Sequence, residues 1–245
     1  MKVFVMAIGA HPDDVELGCA GTLYNHIQLG QKVAIVDLTE GELGSRGTAA
    51  TRYEEATRAK EILKVSYRHN LQMADGFFEH NRENLLKIIT MIRLHQPEVL
   101  LANAPEDRHP DHGKAGKLIA DAAFLSGLIK IETSYEGQPQ QPWRPKRVFH
   151  YIQDRFLEPD FIVDISDSMA VKMESIKAYG TQFFSKTDGD EEPMTYISTA
   201  NFLQKIEQRA ALLGARIGAR YGEGFLSKAT LGISDLNKLS YPEIS

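Results

Sequence analysis

Two short clusters of histidine and aspartate have the composition of a metal site. The first is the run HPDD at residues 11–14, and the second is the run HPDH at residues 109–112. Imidazole and carboxylate groups are costly to bury unless a partner binds them. A divalent metal ion is the simplest such partner, so the two clusters predict one shared metal site if the fold brings them together.

Each cluster follows an apolar run that is typical of a buried strand. Residues 3–8 (VFVMAI) precede the first cluster, and residues 98–103 (EVLLAN) precede the second. In a parallel sheet the carboxyl ends of the strands lie at one edge, where open α/β sheets bind their ligands. We therefore expect both clusters to face the same cavity.

The rest of the chain alternates strand and helix patterns. Strands are predicted at residues 3–8, 32–39, 67–73, 98–103, 147–152 and 161–165, and helices at 15–29, 51–63, 81–95, 113–127, 168–179 and 196–220. This alternation predicts an α/β fold with a Rossmann-like, mostly parallel sheet flanked by helices. We expect one domain over residues 1–245, with a core at about 1–130 and a C-terminal part that packs on it and completes the site.

Three stretches carry weaker signals. Residues 136–145 are rich in Gln and Pro and predict an exposed loop. Residues 185–196 begin polar and acidic and are expected to be mobile, and the tail from Gly222 shows little pattern.

Composition excludes several classes of protein. The chain has 245 residues, 42% of them hydrophobic and 25% charged, which is ordinary globular usage. A net charge of -5 gives no general basic surface for nucleic acid. We find no apolar run long enough for a transmembrane helix and no signal-peptide pattern at the N-terminus. The single cysteine, Cys19, excludes an intrachain disulfide, and a cytoplasmic location is the expectation.

The ligand-capable side chains suggest a definite set. His11, Asp14 and His112 offer two imidazoles and one carboxylate, which suit Zn²⁺ and leave positions open for water and substrate. Fe²⁺ fits the same ligands, so the metal stays open at this point. Water bound to such a zinc ion can have a pKa of about 7, which makes hydroxide available at neutral pH.

The neighbouring residues then have candidate roles. Asp13 adjoins a ligand and is the candidate general base. His109 precedes His112 by one helical turn and could donate a hydrogen bond to an oxyanion. Asp111 could orient one of the imidazoles as an outer partner of the metal ligands.

Other interpretations of these motifs exist. A single His-Pro-Asp run is more often a turn, and an Asp at a helix start is usually a cap. A nucleotide-binding Rossmann protein is disfavoured because the turn GAHPDD lacks the G-x-G-x-x-G pattern and places carboxylates where a phosphate needs amides. A structural metal site is disfavoured because such sites are usually closed by four protein ligands.

The motifs also resemble a known family. The run AHPDD at residues 10–14 together with the later HPDH resembles the LmbE-like (PIG-L) zinc-dependent N-deacetylases. Within that family the chain is most similar to the bacillithiol-biosynthesis deacetylases, which act on N-acetylglucosaminyl malate. The resemblance covers nearly the whole chain, including DLTEGELGSRGT, EDRHPDHGKAG, FIVDIS, AYGTQF and YGEGF. One departure is Cys19-Ala20-Gly21, where family members usually carry a Gly-rich run.

The resemblance implies the site and the reaction. His11, Asp14 and His112 would be the zinc ligands, with Asp13 as base and His109 beside the oxyanion. The reaction would be hydrolysis of an acetamide on a small amino-sugar substrate, and the protein would form homo-oligomers. A thiol-sugar conjugate amidase and a chitooligosaccharide deacetylase are the alternatives within the same chemistry.

Three further residues are candidates for substrate binding. Arg52 and Arg108 could clamp a carboxylate, which a malyl group supplies twice. The hydroxyl of Tyr196 could reach the oxyanion after loop closure. The alternatives are a solvated helix residue beside Glu55 for Arg52 and an inward-packing aromatic for Tyr196.

Overall fold

A seven-stranded sheet lies at the centre of the computed structural model, within the residues that it describes, 1–183, 193–199 and 201–239. The strands are β1 (Val5–Gly9), β2 (Val33–Thr39), β3 (Tyr67–Met73), β4 (Val99–Asn103), β5 (Ser134–Tyr135), β6 (Gln138–Pro139), β7 (Arg147–Tyr151), β8 (Phe161–Asp164) and β9 (Gly222–Ser227). The helices are α1 (Asp14–Gln28), α2 (Ala49–Leu63), α3 (Arg82–His95), α4 (Pro110–Leu125), α5 (Met169–Lys177) and α6 (Phe202–Ala215), followed by a 3₁₀ turn at Leu236–Lys238. The order across the sheet is β3-β2-β1-β4-β7-β9-β8.

The first five strands in this order are parallel, which confirms the predicted α/β fold. Successive residues of β1 point to opposite faces of the sheet. Met6 and Ile8 pack with α3 and α4, whereas Val5 and Ala7 pack with α1. Because both faces are covered by helices, β1 and β4 are apolar nearly throughout instead of alternating, whereas the edge strand β3 carries several polar residues.

The tail from Gly222, which shows little pattern in sequence, forms β9. This strand runs antiparallel to both β7 and β8 and joins them into the sheet. Its sequence, GEGFLS, lacks the pattern of a strand because two glycines and a charged residue are among its four buried residues. The strand is instead specified by its neighbours and by the partners of Glu223.

Two other predictions need correction. The helix expected over residues 196–220 is confined to α6, because Thr195 and Ser198 bond each other's backbone N–H groups at 3.2 and 2.7 Å before it. Residues 134–139, which overlap the start of the stretch expected to be a loop, form the β5–β6 hairpin, whose turn has positive φ at Glu136 and Gly137. Residues 184–192, the main part of the segment expected to be mobile, lie outside the described residues.

A bend in α1 fixes the helix that carries the first cluster. Cys19 has a non-helical φ of -148°, and it lies fully buried in the core. The N–H of Gly21 would bond the Leu17 carbonyl in a regular helix, but it donates to Glu223 at 3.0 Å instead. Lys172 then donates to the Leu17 carbonyl at 2.9 Å and pairs with Glu223 at 2.5 Å. A buried ion pair between α5 and β9 therefore supports both halves of α1.

None of the described helices has the length and apolar character that a membrane span requires.

We predict that Lys172→Met destabilises the protein by about 3–5 kcal/mol, because it leaves the Glu223 carboxylate buried without its cation. Urea unfolding followed by circular dichroism measures the loss. Lys117→Met is the matched control, since Lys117 pairs with Asp121 at the surface and should contribute only about 0–1 kcal/mol. Equal losses in the two variants would contradict a supporting role for the buried pair.

Candidate metal centre and active site

The carboxyl edge of the sheet brings the two histidine clusters together. Asp14 lies between the two imidazoles: its Oδ2 is 3.6 Å from His11 Nδ1, and its Oδ1 is 3.1 Å from His112 Nε2. One ring nitrogen from each of His11, His109 and His112 lies within 4.8 Å of the others. The three residues predicted as ligands therefore share one location, and His109 adjoins them.

The local chain path explains this convergence. β1 and β4 are adjacent and parallel, with Val5 beside Val99, so the turns that follow them start at the same edge. The side chain of Asn103, the last residue of β4, accepts from Ala10 N and donates to Asp14 Oδ2, each at 3.0 Å. A single amide side chain thus fixes the first turn against the second strand.

Carboxylates hold the outward nitrogen of each imidazole. His112 Nδ1 lies 2.7 Å from Asp107 Oδ2. His11 Nε2 lies 3.0 Å from Asp75 Oδ1 and 3.4 Å from Asp111 Oδ2. When the outward N–H groups donate to these carboxylates, the opposite nitrogens of the two rings can offer their lone pairs to a metal ion beside Asp14. This pattern is typical of metal-ligating histidine, so the residues present fit a metal ion.

The electrostatics of the centre also favour a cation. Burial opposes ionisation of Asp14, but the neighbouring His112 and His11 outweigh it and hold the pKa of this carboxyl well below its usual range. Burial likewise opposes protonation of His112, yet Asp14 and Asp107 raise its pKa to about 9. The carboxylates thus stabilise positive charge where the imidazoles meet, and a divalent cation would supply that charge.

Asp13 is buried beside Arg52, with 3.5 Å between its Oδ2 and a terminal nitrogen of that guanidinium. Burial raises the pKa of Asp13 to about 7, although the charge of Arg52 opposes the rise. The backbone of Asp13 has a φ of 121°, a conformation that side chains other than Asn and Asp rarely adopt. Such strain in a cavity-lining residue is often associated with function.

His109 is the N-cap residue of α4 and lines the same cavity. Its Nδ1 accepts a hydrogen bond from the N–H of Asp111 at 3.3 Å, so the neutral ring carries its proton on Nε2. Its ring packs edge-on against His11, with 4.7 Å between centroids. His109 can therefore donate a hydrogen bond from Nε2 to a negatively charged oxygen.

The centre opens into a cavity of about 470 Å³. The three residues predicted to bind substrate all line it. Arg52 is buried, and its two terminal nitrogens donate to the carbonyls of Gly41 and Pro12 at 3.1 and 2.8 Å. These contacts favour support of the first turn over capture of a substrate carboxylate.

Arg108 and Tyr196 lie at the mouth of this cavity and share Asp154. Arg108 Nε pairs with Asp154 at 2.6 Å, and Tyr196 donates to the same carboxylate at 3.0 Å. The Arg108 guanidinium lies 4.5 Å from the centre of the Tyr196 ring. The tyrosine hydroxyl is therefore engaged at the mouth and not at the metal centre.

Sequence reasoning missed four polar residues of the site: Asp75, Asn103, Asp107 and Gln153. Gln153 Nε2 donates to Asp14 Oδ1 at 2.7 Å, and the other three have the contacts given above. All four lie at, or within a few residues of, the carboxyl end of a strand. A search for polar residues at every strand end would have found them as candidates.

The fold and this site define an α/β protein with a histidine–aspartate centre at the carboxyl edge of its sheet. The family model described as "PIG-L: GlcNAc-PI de-N-acetylase" matches residues 6–123. Diacetylchitobiose deacetylase of Thermococcus kodakarensis is 31% identical over 230 residues, which cover 90% of this chain and 81% of that protein. The chain therefore belongs to the PIG-L family of deacetylases, as its motifs suggested.

Two further comparisons agree. The 1D-myo-inositol 2-acetamido-2-deoxy-alpha-D-glucopyranoside deacetylase of Corynebacterium efficiens is 25% identical, over 76% of this chain and 74% of that protein. The crystal structure of the conserved protein TT1542 from Thermus thermophilus superposes with a TM-score of 0.82 at 31% identity, covering 95% of this chain and 98% of that one.

We predict that Asp107→Asn weakens divalent-metal binding about 10–100-fold, because it removes the carboxylate that orients His112. Competition of the metal-free protein against a chromophoric chelator measures the affinity. Glu106→Gln is the control, since this adjacent carboxylate is exposed and pairs with Arg155 instead. Unchanged affinity in the Asp107 variant would remove its orienting role.

Proposed function

We propose that the protein is a zinc-dependent hydrolase that removes the acetyl group from an N-acetylglucosamine-type substrate, with N-acetylglucosaminyl L-malate as the preferred one. The observation that carries this proposal is the meeting of His11, Asp14 and His112 on a wide cavity that Asp13 and His109 also line. The similarity to a diacetylchitobiose deacetylase supports the class of substrate.

His11, Asp14 and His112 would hold the ion, and the family and the donor set support zinc, although Fe²⁺ suits the same ligands. When bound, the ion would polarise the acetamide carbonyl and acidify a water molecule.

The residues around the centre would then perform the proton transfers. The Asp13 carboxylate would take a proton from the attacking water and deliver it to the nitrogen of the leaving amine. His109 would keep its proton on Nε2 and donate that hydrogen bond to the oxygen on which negative charge develops. Arg52 would hold Asp13 in place, since its Nη2 lies 3.5 Å from Asp13 Oδ2.

The malyl group would bind at the mouth through Arg108. Asp154 and the Tyr196 ring orient this guanidinium through its Nε and its face. Among the described residues, none accepts a hydrogen bond from its two terminal nitrogens. These two nitrogens are suited to a carboxylate of the substrate.

A free-amine assay separates the candidate substrates. N-acetylglucosaminyl malate, diacetylchitobiose, N-acetylglucosamine and an acetylated thiol-sugar conjugate are compared before and after metal removal by a chelator. Highest kcat/KM on the malate glycoside, lost on chelation and restored by zinc, supports the proposal. Higher kcat/KM on the chitobiose or on the thiol conjugate would favour the corresponding alternative.

We predict that Asp13→Asn lowers kcat about 10²–10⁴-fold while zinc content stays unchanged, because the amide cannot accept the proton. Asparagine is the suitable replacement because it tolerates the positive φ of this position, whereas alanine would be strained. Asp121→Asn on the outer part of α4 is the control. A parent rate in the Asp13 variant would exclude it as the base.

We predict that Arg108→Met raises KM for the malate glycoside about 10–100-fold, since a charge-assisted hydrogen bond contributes about 1.5–3 kcal/mol. KM for neutral N-acetylglucosamine should change much less. Arg155→Met is the control, because Arg155 pairs with Glu106 and does not line the cavity. Equal losses on both substrates would show that Arg108 does not recognise the carboxylate.

A further inference from the structure

A small apolar recess adjoins the main cavity behind His112. Its volume is about 20 Å³. It shares five lining residues with the main cavity: Leu17, Arg108, His112, Gln153 and Ile197. Phe202 and Ile206 of α6 line the recess but not the main cavity, and they extend its apolar wall. The recess is therefore a side pocket of the site that starts at a candidate metal ligand.

The walls of the recess are held in place. Phe202 and Ile206 are each only 6% exposed, and the Phe202 ring stacks on Phe183 with an angle of 5° between the planes. The two charged residues that complete the lining are bonded to each other, because Arg209 donates to the Asp154 carbonyl at 2.6 Å. The recess thus has an apolar wall, made by Leu17, Ile197, Phe202 and Ile206, and its charged residues Asp154 and Arg209 are bonded to each other.

The recess also has a fixed position relative to the reacting groups. Leu17 lies one helical turn after Asp13, and its N–H donates to the Asp13 carbonyl at 2.9 Å. Gln153 contacts both the recess and the Asp14 carboxylate. The apolar wall is therefore built on the same elements as the candidate base and a candidate ligand.

We propose that this recess receives the methyl group of the acyl chain and restricts the enzyme to N-acetyl substrates. This inference rests on the proposed deacetylase function. The methyl is the apolar part of an acetamide, whereas the main cavity beside the centre is lined by His11, Asp13, Asp14 and His109. A space of this size accepts roughly one water-sized group, so a methyl fits and a longer chain does not.

The test uses N-acetyl, N-propionyl and N-butyryl forms of one glucosaminide. The parent should prefer acetyl over propionyl by about tenfold or more in kcat/KM, the discrimination expected for one methylene group. Ile206→Ala lengthens the recess and should reduce that ratio about tenfold. Leu212→Ala is the control, because Leu212 lies on the same helix but is exposed, and it should leave the ratio unchanged.

Two results would overturn the proposal: no acyl preference in the parent, or the parent's preference retained in a folded Ile206→Ala. If the alanine variant does not fold, Ile206→Val repeats the test with a smaller change. There too, a smaller ratio of acetyl to propionyl kcat/KM supports the recess, whereas an unchanged ratio contradicts it.

If the parent hydrolyses none of the amides, the deacetylase function fails separately. Calorimetric titration of the zinc-loaded protein with acetate, propionate and butyrate then decides, because tightest binding of acetate supports the recess and equal or weaker binding overturns it.

Discussion

The site depends on the buried carboxylate of Asp14, which accepts hydrogen bonds from residues at the ends of three strands. Asp14 Oδ2 accepts from the backbone of His11 at the end of β1 and from Asn103 at the end of β4, each at 3.0 Å. Asp14 Oδ1 accepts from Gln153, which follows β7, at 2.7 Å. A buried charge is tolerated only when its hydrogen bonds are complete, so the alignment of these three strand ends is required for the fold as well as for the site.

A second buried network holds α1 from the opposite side. Glu16 is fully buried and accepts from Arg68 at 2.5 Å and from Tyr179 at 3.1 Å. Arg68 also donates two parallel hydrogen bonds to Asp37, at 2.8 and 2.9 Å. Because the Arg68 guanidinium binds both Glu16 of α1 and Asp37 of β2, the first turn of the helix is fixed on both sides. Preorganisation of this kind supports the strained conformation of Asp13, the residue that precedes this turn.

The predictable parts of the structure are those that local pattern specifies. Apolar runs located β1, β2 and β4, and the positions of the two histidine clusters at strand ends anticipated a shared site. The bend at Cys19 and strand β9 were not predictable, because both depend on contacts between residues far apart in sequence, such as the hydrogen bond from Gly21 of α1 to Glu223 of β9. Likewise, the outward carboxylates Asp75 and Asp107 could not be assigned, since a sequence gives no direction for a side chain in a loop.

Arg52 shows that the direction of a side chain also limits the prediction of function from sequence. A charged side chain near a motif suggested a substrate contact, but the structure gives its hydrogen bonds to two backbone carbonyls. The N-terminal half supplies the centre, whereas its support comes from both halves, because Gln153 bonds Asp14 and the Lys172–Glu223 pair holds α1. In the proposed function, Arg108 and Tyr196 at the mouth and Phe202 and Ile206 in the recess would face the variable parts of a substrate. The candidate metal ligands follow strand ends, whereas Tyr196, Phe202 and Ile206 belong to segments that carry no strand of the parallel core, so the chemistry and the choice of substrate would rest largely on different parts of the chain.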